Sequence, residues 1–275
     1  MLKRPIPSTK ELLPVVGLGS WAQFDVGASS SERVLLTEVL KELALLGGTL
    51  IDSSPMYGRS EAVIGELTAA SDFSDTFFYA TKVWTSGKQE GIEQMESSMR
   101  KMRRDTMDLM QVHNLKDWQI HLSTLRQWKD ECIIRYIGIT HYTTASHEQL
   151  EKILLTEPID FVQFNYSIGV RNAEKRLLDA ARDKGVAVII NEPFEKGNLF
   201  RLVKSSKLPG WASDYNISSW SQFFLSYILS HPAVTCVIPG TSDPKHLIDN
   251  IGSGYELLPD EQGRRRMVEF MQGGF

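Results

Sequence analysis

Four side chains of unlike type, Asp52, Tyr57, Lys82 and His113, carry the chemistry that this sequence can offer. Asp52 directly follows Leu50 and Ile51. An acid in that setting needs a partner, because an unpaired buried charge is costly. Tyr57 comes five residues later, in a short turn set by Pro55 and Gly58, while Lys82 ends the apolar run of FFYATKVW and His113 that of LMQVHN. A tyrosine has an ordinary pKa near 10, and a neighbouring ammonium lowers it by favouring the phenolate. Asp52 can hold that lysine by a charge-assisted hydrogen bond, and His113 can donate to a substrate oxygen. As a set they suit proton delivery to an oxygen that gains negative charge, as a carbonyl oxygen does on receiving hydride. Singly, each has a plainer reading: a ring packed at a loop base, a lysine snorkelling at a rim, a structural histidine.

The elements that must position these residues recur along the whole chain. Short apolar, β-branched runs fall at residues 15–18, 49–52, 77–82, 108–112, 136–140, 161–165, 186–190 and 234–238. Most are continuous rather than alternating, as expected for parallel strands whose outer face is covered by helices. Helical periodicity fills the gaps at 32–46, 92–102, 122–128, 147–155, 173–181 and 220–229. Gly47–Gly48 and Gly185 stop helices before strands, Thr144 or Ser146 caps the helix carrying Glu148, and Ser218 caps the one that begins at Trp220. Strand then helix, eight times, predicts an α/β protein built as a single (β/α)₈ barrel of residues 1–275, with a short C-terminal tail over about 253–275. Residues 197–211 read as a loop-like insertion. The strand ends then share one face, the face where barrels of this kind keep their active sites. A doubly wound open sheet is the alternative; its phosphate loop needs G-x-G-x-x-G, and the region after the first strand reads GLGSW, without the third glycine. Glycine there serves close backbone approach or a turn.

Composition excludes other classes. With 42% hydrophobic and 23% charged residues the chain is not a disordered one. A formal charge of −4 disfavours a globally basic nucleic-acid binder. No apolar stretch reaches the roughly 18 residues that a membrane helix needs. The two cysteines, Cys132 and Cys236, read as buried thiols and indicate no disulfide framework. The N-terminus carries no secretory signal pattern, so a cytoplasmic protein is expected. Arg264–Arg266 read as a solvated helix face, with Glu261 and Glu269 close by.

At the four chemical residues the sequence resembles the aldo-keto reductase family. The resemblance runs from Gly17 to Gly252 and rests on GGTLIDSSPMYGRSEAVIGE at residues 47–66, TKVW at 81–84 and QVHN at 111–114, in barrel order. It implies reduction of an aldehyde or ketone, or the reverse oxidation, with hydride passing from nicotinamide C4 to the carbonyl carbon. It implies NADPH as cofactor, NADH less often, and no metal. Tyr57 resembles the general acid, Lys82 and Asp52 the pair that tunes it, and His113 the residue that orients the carbonyl. On the cofactor side the resemblance implies Thr140 and His141 where the family usually has Ser-Asn, with Gln163 holding the nicotinamide amide. It also implies Gly19, Gly240, Thr241, His246 and Asn250 along the dinucleotide.

Departures accompany it. Asn191 stands where a stacking aromatic is usual, leaving Phe194 or Tyr166 to compensate, and Glu192 adds a negative charge that Lys196 could neutralise. Few fixed cations surround the expected 2′-phosphate position, so weakened discrimination between NADPH and NADH is expected. Trp21, Trp84, Asn114 and Met56 are expected to flank an open pocket for a small carbonyl substrate, in a monomer with neither nucleic-acid nor membrane partners. Two other classes stay open on sequence alone: a cofactor-binding regulatory protein on the same fold, and a metal-dependent hydrolase using His113, His141 and Asp52.

Overall fold

The computed structural model describes residues 1–28, 31–255 and 257–273. Eight parallel strands follow one another around a barrel: β3 (Leu18–Gly19), β4 (Leu50–Asp52), β5 (Phe78–Val83), β6 (Met107–His113), β7 (Ile134–Thr140), β8 (Phe161–Asn165), β9 (Ala187–Asn191) and β10 (Cys236–Val237). The ring is closed by parallel bridges from Val16 to Val237 and from Gly19 to Gly240. Gly19 is required at this seam, since a Cβ there would stand 2.8 Å from the Ile238 carbonyl oxygen. Its lack of a side chain therefore serves strand closure.

Two elements precede the barrel that the apolar periodicity does not announce. β1 (Lys3–Pro5) and β2 (Leu12–Pro14) form an antiparallel hairpin. They bring Ile6 and Leu13 into the same buried cluster as Leu50, Phe78, Leu109, Tyr136 and Phe161. The hairpin thus plugs the end of the barrel opposite the strand C-termini. A larger cluster lies between the strands and the surrounding helices.

The helices are α1 (Glu32–Leu45), α2 (Ser60–Ala69), α3 (Lys88–Met102), α4 (Trp118–Asp130), α5 (His147–Thr156), α6 (Leu177–Lys184), α7 (Asn198–Leu202), α8 (Trp220–Leu229), α9 (Pro244–Gly252) and α10 (Glu261–Gln272). Several expectations need correction. The 197–211 insertion contains α7 and leads into a 3₁₀ segment, Gly210–Tyr215. Ser219, not Ser218, caps α8 by accepting from the Gln222 N–H. Ser146 does occupy the N-cap position of α5, but its side chain makes no capping hydrogen bond, because a 3₁₀ turn, Thr144–Ser146, runs straight into the helix. Cys132 is exposed, at a left-handed turn position, and only Cys236 is buried. The solvated face holds for Arg265 and Arg266, which are exposed, but not for Arg264 of α10, which turns inward onto Glu174 at 2.6 Å and anchors the tail. Arg266 lies over the Trp211 ring, and Arg265 alone of the three pairs outward, with Glu261. Among the described residues no helix is long and apolar enough to cross a membrane.

Candidate active site

Successive residues of a strand face opposite sides, so every second residue of a barrel strand points inward. Along β5 the inward set reads Phe78, Ala80, Lys82, and along β6 it reads Leu109, Gln111, His113. Tyr136 and Thr140 share β7, Phe161 and Gln163 share β8, and Leu50 and Asp52 share β4. Each stripe starts apolar at the plugged end and turns polar at the open one. This is how a chain with continuous apolar strands gathers Asp52, Lys82, Gln111, His113 and Gln163 at one mouth.

The centre of the mouth is a satisfied buried ion pair. Lys82 Nζ donates to Asp52 Oδ2 at 2.5 Å and to the Ser53 carbonyl at 2.6 Å. The other carboxylate oxygen, Oδ1, accepts from Gln163 Nε2 at 2.9 Å and Gln111 Nε2 at 3.1 Å. Burial alone would drive the Lys82 ammonium down; the Asp52 carboxylate and Tyr57 outweigh it and hold its pKa above the ordinary value. The lysine is fully buried and does not reach the cleft itself. Its Nζ lies 5.1 Å from the centroid of the Tyr57 ring, which does line the cleft.

For Tyr57 the structure reverses the expected direction. Burial raises its pKa above 10 and outweighs the lowering by Lys82, with the Asp52 charge adding to the rise. Lys82 comes with its own counter-ion, so little net positive charge faces the phenol. Tyr57 is therefore held as a neutral O–H, a proton donor. His113 stands edge-on to it, ring centroids 6.0 Å apart at 87°. Burial, and then the Lys82 charge, push His113 down to about 3, so its imidazole is neutral. Its Nδ1 is 3.0 Å from Ser54 Oγ. That oxygen also accepts the Met56 N–H at 3.2 Å; a tautomer with its proton on Nε2 takes the Ser54 hydroxyl proton at Nδ1, an arrangement this contact permits. Ser54 and Gln111 are two residues of the centre that sequence reasoning did not single out, although both lie inside the quoted motifs; on the cleft wall it also missed Ser20, Gln23, Tyr142 and Phe200.

A cleft of about 770 Å³ opens above this centre, within the size range of small-molecule and cofactor sites. Trp21, Trp84, Asn114 and Met56 line it as expected, as do Gly19, Thr140, Gln163 and Gly240. Thr140 Oγ1 donates to Gln163 Oε1 at 3.1 Å, and Asn191 Nδ2 reaches the same oxygen at 3.3 Å. Asn191 Oδ1 is buried without a partner. This wall of amides and a hydroxyl fits a nicotinamide, whose carboxamide both donates and accepts. His141 departs from expectation: its Nδ1 accepts the Thr143 N–H at 3.2 Å, its ring stacks on Tyr142, and Tyr142 takes the wall position. Of the two rings proposed to compensate for Asn191, Phe194 is on the wall, whereas Tyr166 is wholly buried in hydrogen bonds to Glu174 and Arg264.

Thr241, His246 and Asn250 lie outside this cleft, around the start and body of α9. Thr241 Oγ1 accepts the Asp243 N–H at 3.0 Å, Asn250 is buried against Ser221, and His246 is exposed. The Asp243 carboxylate itself caps α9, accepting the Lys245 N–H at 2.8 Å. Glu192 does pair with Lys196, at 3.2 Å. Of the eleven non-glycine residues with left-handed φ among the described residues, six sit in two loops at this mouth: Asn114, Leu115 and Asp117 after β6, and Glu192, Glu195 and Lys196 after β9. Such conformations cost of order 1–3 kcal/mol each and concentrate at functional sites. Among the described residues no three of His, Cys, Asp and Glu gather as a metal-holding group, which leaves the hydrolase alternative without a ligand set.

Comparison with known proteins agrees with this geometry. The model of the aldo/keto reductase family matches residues 15–266. Methylglyoxal reductase YeaE of Escherichia coli strain K12 is 28% identical over 246 residues, covering 86% of this chain and 84% of that protein. The NADH-specific methylglyoxal reductase of the same organism is 25% identical over 336 residues, covering 99% and 100%. A Klebsiella pneumoniae aldo-keto reductase solved in complex with NADPH superposes with a TM-score of 0.83 at 22% identity, over 98% of this chain and 95% of that one. A barrel whose strand ends converge on a lysine–aspartate pair, a neutral tyrosine and a neutral histidine, and whose sequence is matched from the first barrel strand into the last helix, belongs to the aldo/keto reductase family.

Proposed function

We propose that this nicotinamide-dependent carbonyl reductase uses Tyr57 as its general acid, with His113 orienting the carbonyl and the Lys82–Asp52 pair positioning the phenol. The observation that carries this reading is the state of Tyr57: on the cleft wall, held neutral by burial, with the paired Lys82 behind its ring. A neutral phenol keeps its proton until a stronger base appears, and the oxygen of a carbonyl under hydride attack becomes one. The Lys82 ammonium then stabilises the phenolate left behind, at no cost in reorganisation because Asp52 already fixes it. His113 Nε2–H supplies the second donor to that oxygen. In the oxidative direction the same groups run backwards, with the phenolate taking the alcohol proton.

A bound nicotinamide supplies or accepts the hydride. Thr140, Gln163 and Asn191 are the residues that would hold its carboxamide, and Gly19 and Gly240 leave room beside it. For the dinucleotide we read NADPH with weak discrimination against NADH. The α9 N-terminus, where the resemblance places the adenosine 2′-phosphate, presents the Asp243 carboxylate, and the neighbouring Thr241 hydroxyl is already engaged in the same turn. The relatives support both cofactors, one structure being an NADPH complex and one enzyme being named NADH-specific. The protein is read as a cytoplasmic monomer acting on a small aldehyde or ketone; sedimentation of the purified chain tests the monomer.

The decisive experiment mixes the protein with NADPH or NADH and a panel of aldehydes, quinones and ketosteroids, and titrates each cofactor by fluorescence. Oxidation of NADPH by at least one carbonyl is expected. A protein that neither binds nor oxidises either cofactor sinks the catalytic reading. A preference of more than about 1000-fold, about 4 kcal/mol, sinks the weak discrimination.

A further inference from the structure

The mouth of the cleft carries charge that the proton transfer does not use. Two tryptophans stand there, and each has a lysine ammonium over its ring. Lys196 Nζ is 5.7 Å from the Trp21 centroid, and Lys116 Nζ is 5.0 Å from that of Trp84. The two lysines are not equivalent. Lys196 is neutralised by Glu192, itself on the cleft wall. Among the described residues no carboxylate lies within ion-pairing distance of Lys116. Its sequence neighbour Asp117 is turned away, accepting the Gly87 N–H at 3.0 Å.

Lys116 belongs to the loop that leaves β6 just after His113, and this loop is fixed by its backbone. Asn114 and Leu115 have φ of 53° and 55°, Asp117 has 44°, and the Asn114 N–H is held by the Thr140 carbonyl at 2.8 Å. Asn114 lines the cleft with its Oδ1 buried and unpartnered, so the amide NH₂ is the group it offers to a ligand. One loop thus places an imidazole and an amide on the cleft wall and, off the wall itself but over the ring of the wall residue Trp84, an ammonium. In a chain of net charge −4 this is a local reversal of sign. Apolar body, neutral donor and uncompensated cation in that order match a molecule with an anion at the end remote from its carbonyl.

We infer that Trp84, Asn114 and Lys116 receive the far end of the substrate, and that the substrate is an aldehyde or ketone carrying a carboxylate. The inference rests on the reading of the cleft as a carbonyl-reducing site. The ring packs the substrate body, and Asn114 and Lys116 donate to the carboxylate by charge-assisted hydrogen bonds.

The test compares kcat/KM for 4-carboxybenzaldehyde and methyl 4-formylbenzoate, which present the same aldehyde with and without the charge. At low salt the acid is expected to be favoured about tenfold, as one or two hydrogen bonds to a charged group supply. The ratio should fall to about threefold or less at about 0.5 M salt, where exposed charges are screened, and in Lys116→Gln, and be largely restored in Lys116→Arg. Equal use of acid and ester by the unmodified enzyme, or a ratio untouched by Lys116→Gln, overturns the inference. A binding arm stands apart from turnover: benzoate should quench tryptophan fluorescence at lower concentration than benzamide, and Lys116→Gln should erase the difference. Should neither aldehyde be reduced while that binding difference holds, the anion site stands and the reductase reading falls. Equal binding of benzoate and benzamide overturns the anion site.

Discussion

The protein contains the same four-part constellation twice. At the mouth, Tyr57 and His113 meet edge-on at 6.0 Å beside the pair Lys82–Asp52. Near α10, Tyr166 and His231 meet edge-on at 6.2 Å beside the pair Arg264–Glu174. In both, burial lifts the phenol and depresses the imidazole: His113 to about 3, His231 to about 4, Tyr57 and Tyr166 above their ordinary range. Residue types and pKa directions therefore do not separate them. What separates them is access and saturation. Tyr57 lines the cleft, and in the lysine it leans on carries a charge that answers a developing phenolate. Tyr166 is fully buried, donates its proton to Glu174 at 2.5 Å and accepts from Arg264 at 2.8 Å. Nothing is left over for a ligand. Glu174 also takes the Tyr227 hydroxyl at 2.6 Å, and Arg264 donates to the Tyr227 carbonyl at 2.5 Å. The inner constellation is a bolt that fixes the tail to the barrel, and perturbed titration alone would have named it a second active site.

The largest expected effect breaks this symmetry outright. Tyr57→Phe should lower kcat/KM for carbonyl reduction about 10²–10⁴-fold, the usual share of a general acid, while the fluorescence titration of NADPH is nearly unchanged. Tyr166→Phe should leave turnover intact and instead cost about 1.5–3 kcal/mol in urea unfolding, as for hydrogen bonds to charged groups. Comparable losses of activity in both variants would dissolve the distinction. Arg264→Met comes next. Removing one partner of a buried pair costs about 3–5 kcal/mol, and the low end applies here because Glu174 is partly exposed. Amide exchange in α10 should quicken selectively; unchanged protection there would mean that the tail is held by its apolar contacts alone.

How far the sequence foretold each constellation follows from the range of the interactions. Asp52 and Lys82 were legible as a pair because an acid after Leu50–Ile51 and a lysine ending an apolar strand each demand a partner, and strand order makes them neighbours. That polar residues stand where the apolar runs end was equally readable, but the alternation that points them inward was not, because the runs themselves are continuous. Arg264 and Glu174 are 90 residues apart, and nothing around either announces the other, so Arg264 read as part of the solvated face that Arg265 and Arg266 do form. The sign of the Tyr57 shift also escaped. It depends on depth beneath the loops, a property of the assembled mouth, whereas the lysine's proximity is all that the motif reveals. One-residue errors, Tyr142 for His141 and Ser219 for Ser218, arise where a turn's own hydrogen bonds choose which side chain faces in.

The smallest expected effect compares the two histidines by pH. Both are neutral in the fold, and both take up a proton near pH 6.5 once the chain unfolds. Between the folded and unfolded values the unfolded state binds more protons, so stability rises with pH across that window. The stability each contributes is complete above about pH 6.5 and is lost as pH falls, down to about 3 for His113 and about 4 for His231. A single group gives at most about 1.4 kcal/mol per pH unit in that range. Urea unfolding at pH 7 and pH 5 should show the acid-induced loss reduced about equally in His113→Asn and His231→Asn, since both folded values lie below 5, and the two should part only below about pH 4, where His113 alone still adds to the loss. Turnover sharpens the contrast, since only His113→Asn should slow carbonyl reduction at pH 7. A flatter profile in His231→Asn than in His113→Asn would show that the inner imidazole bears the heavier burial penalty, and would make tail anchoring, not the mouth, the acid-sensitive part of the fold.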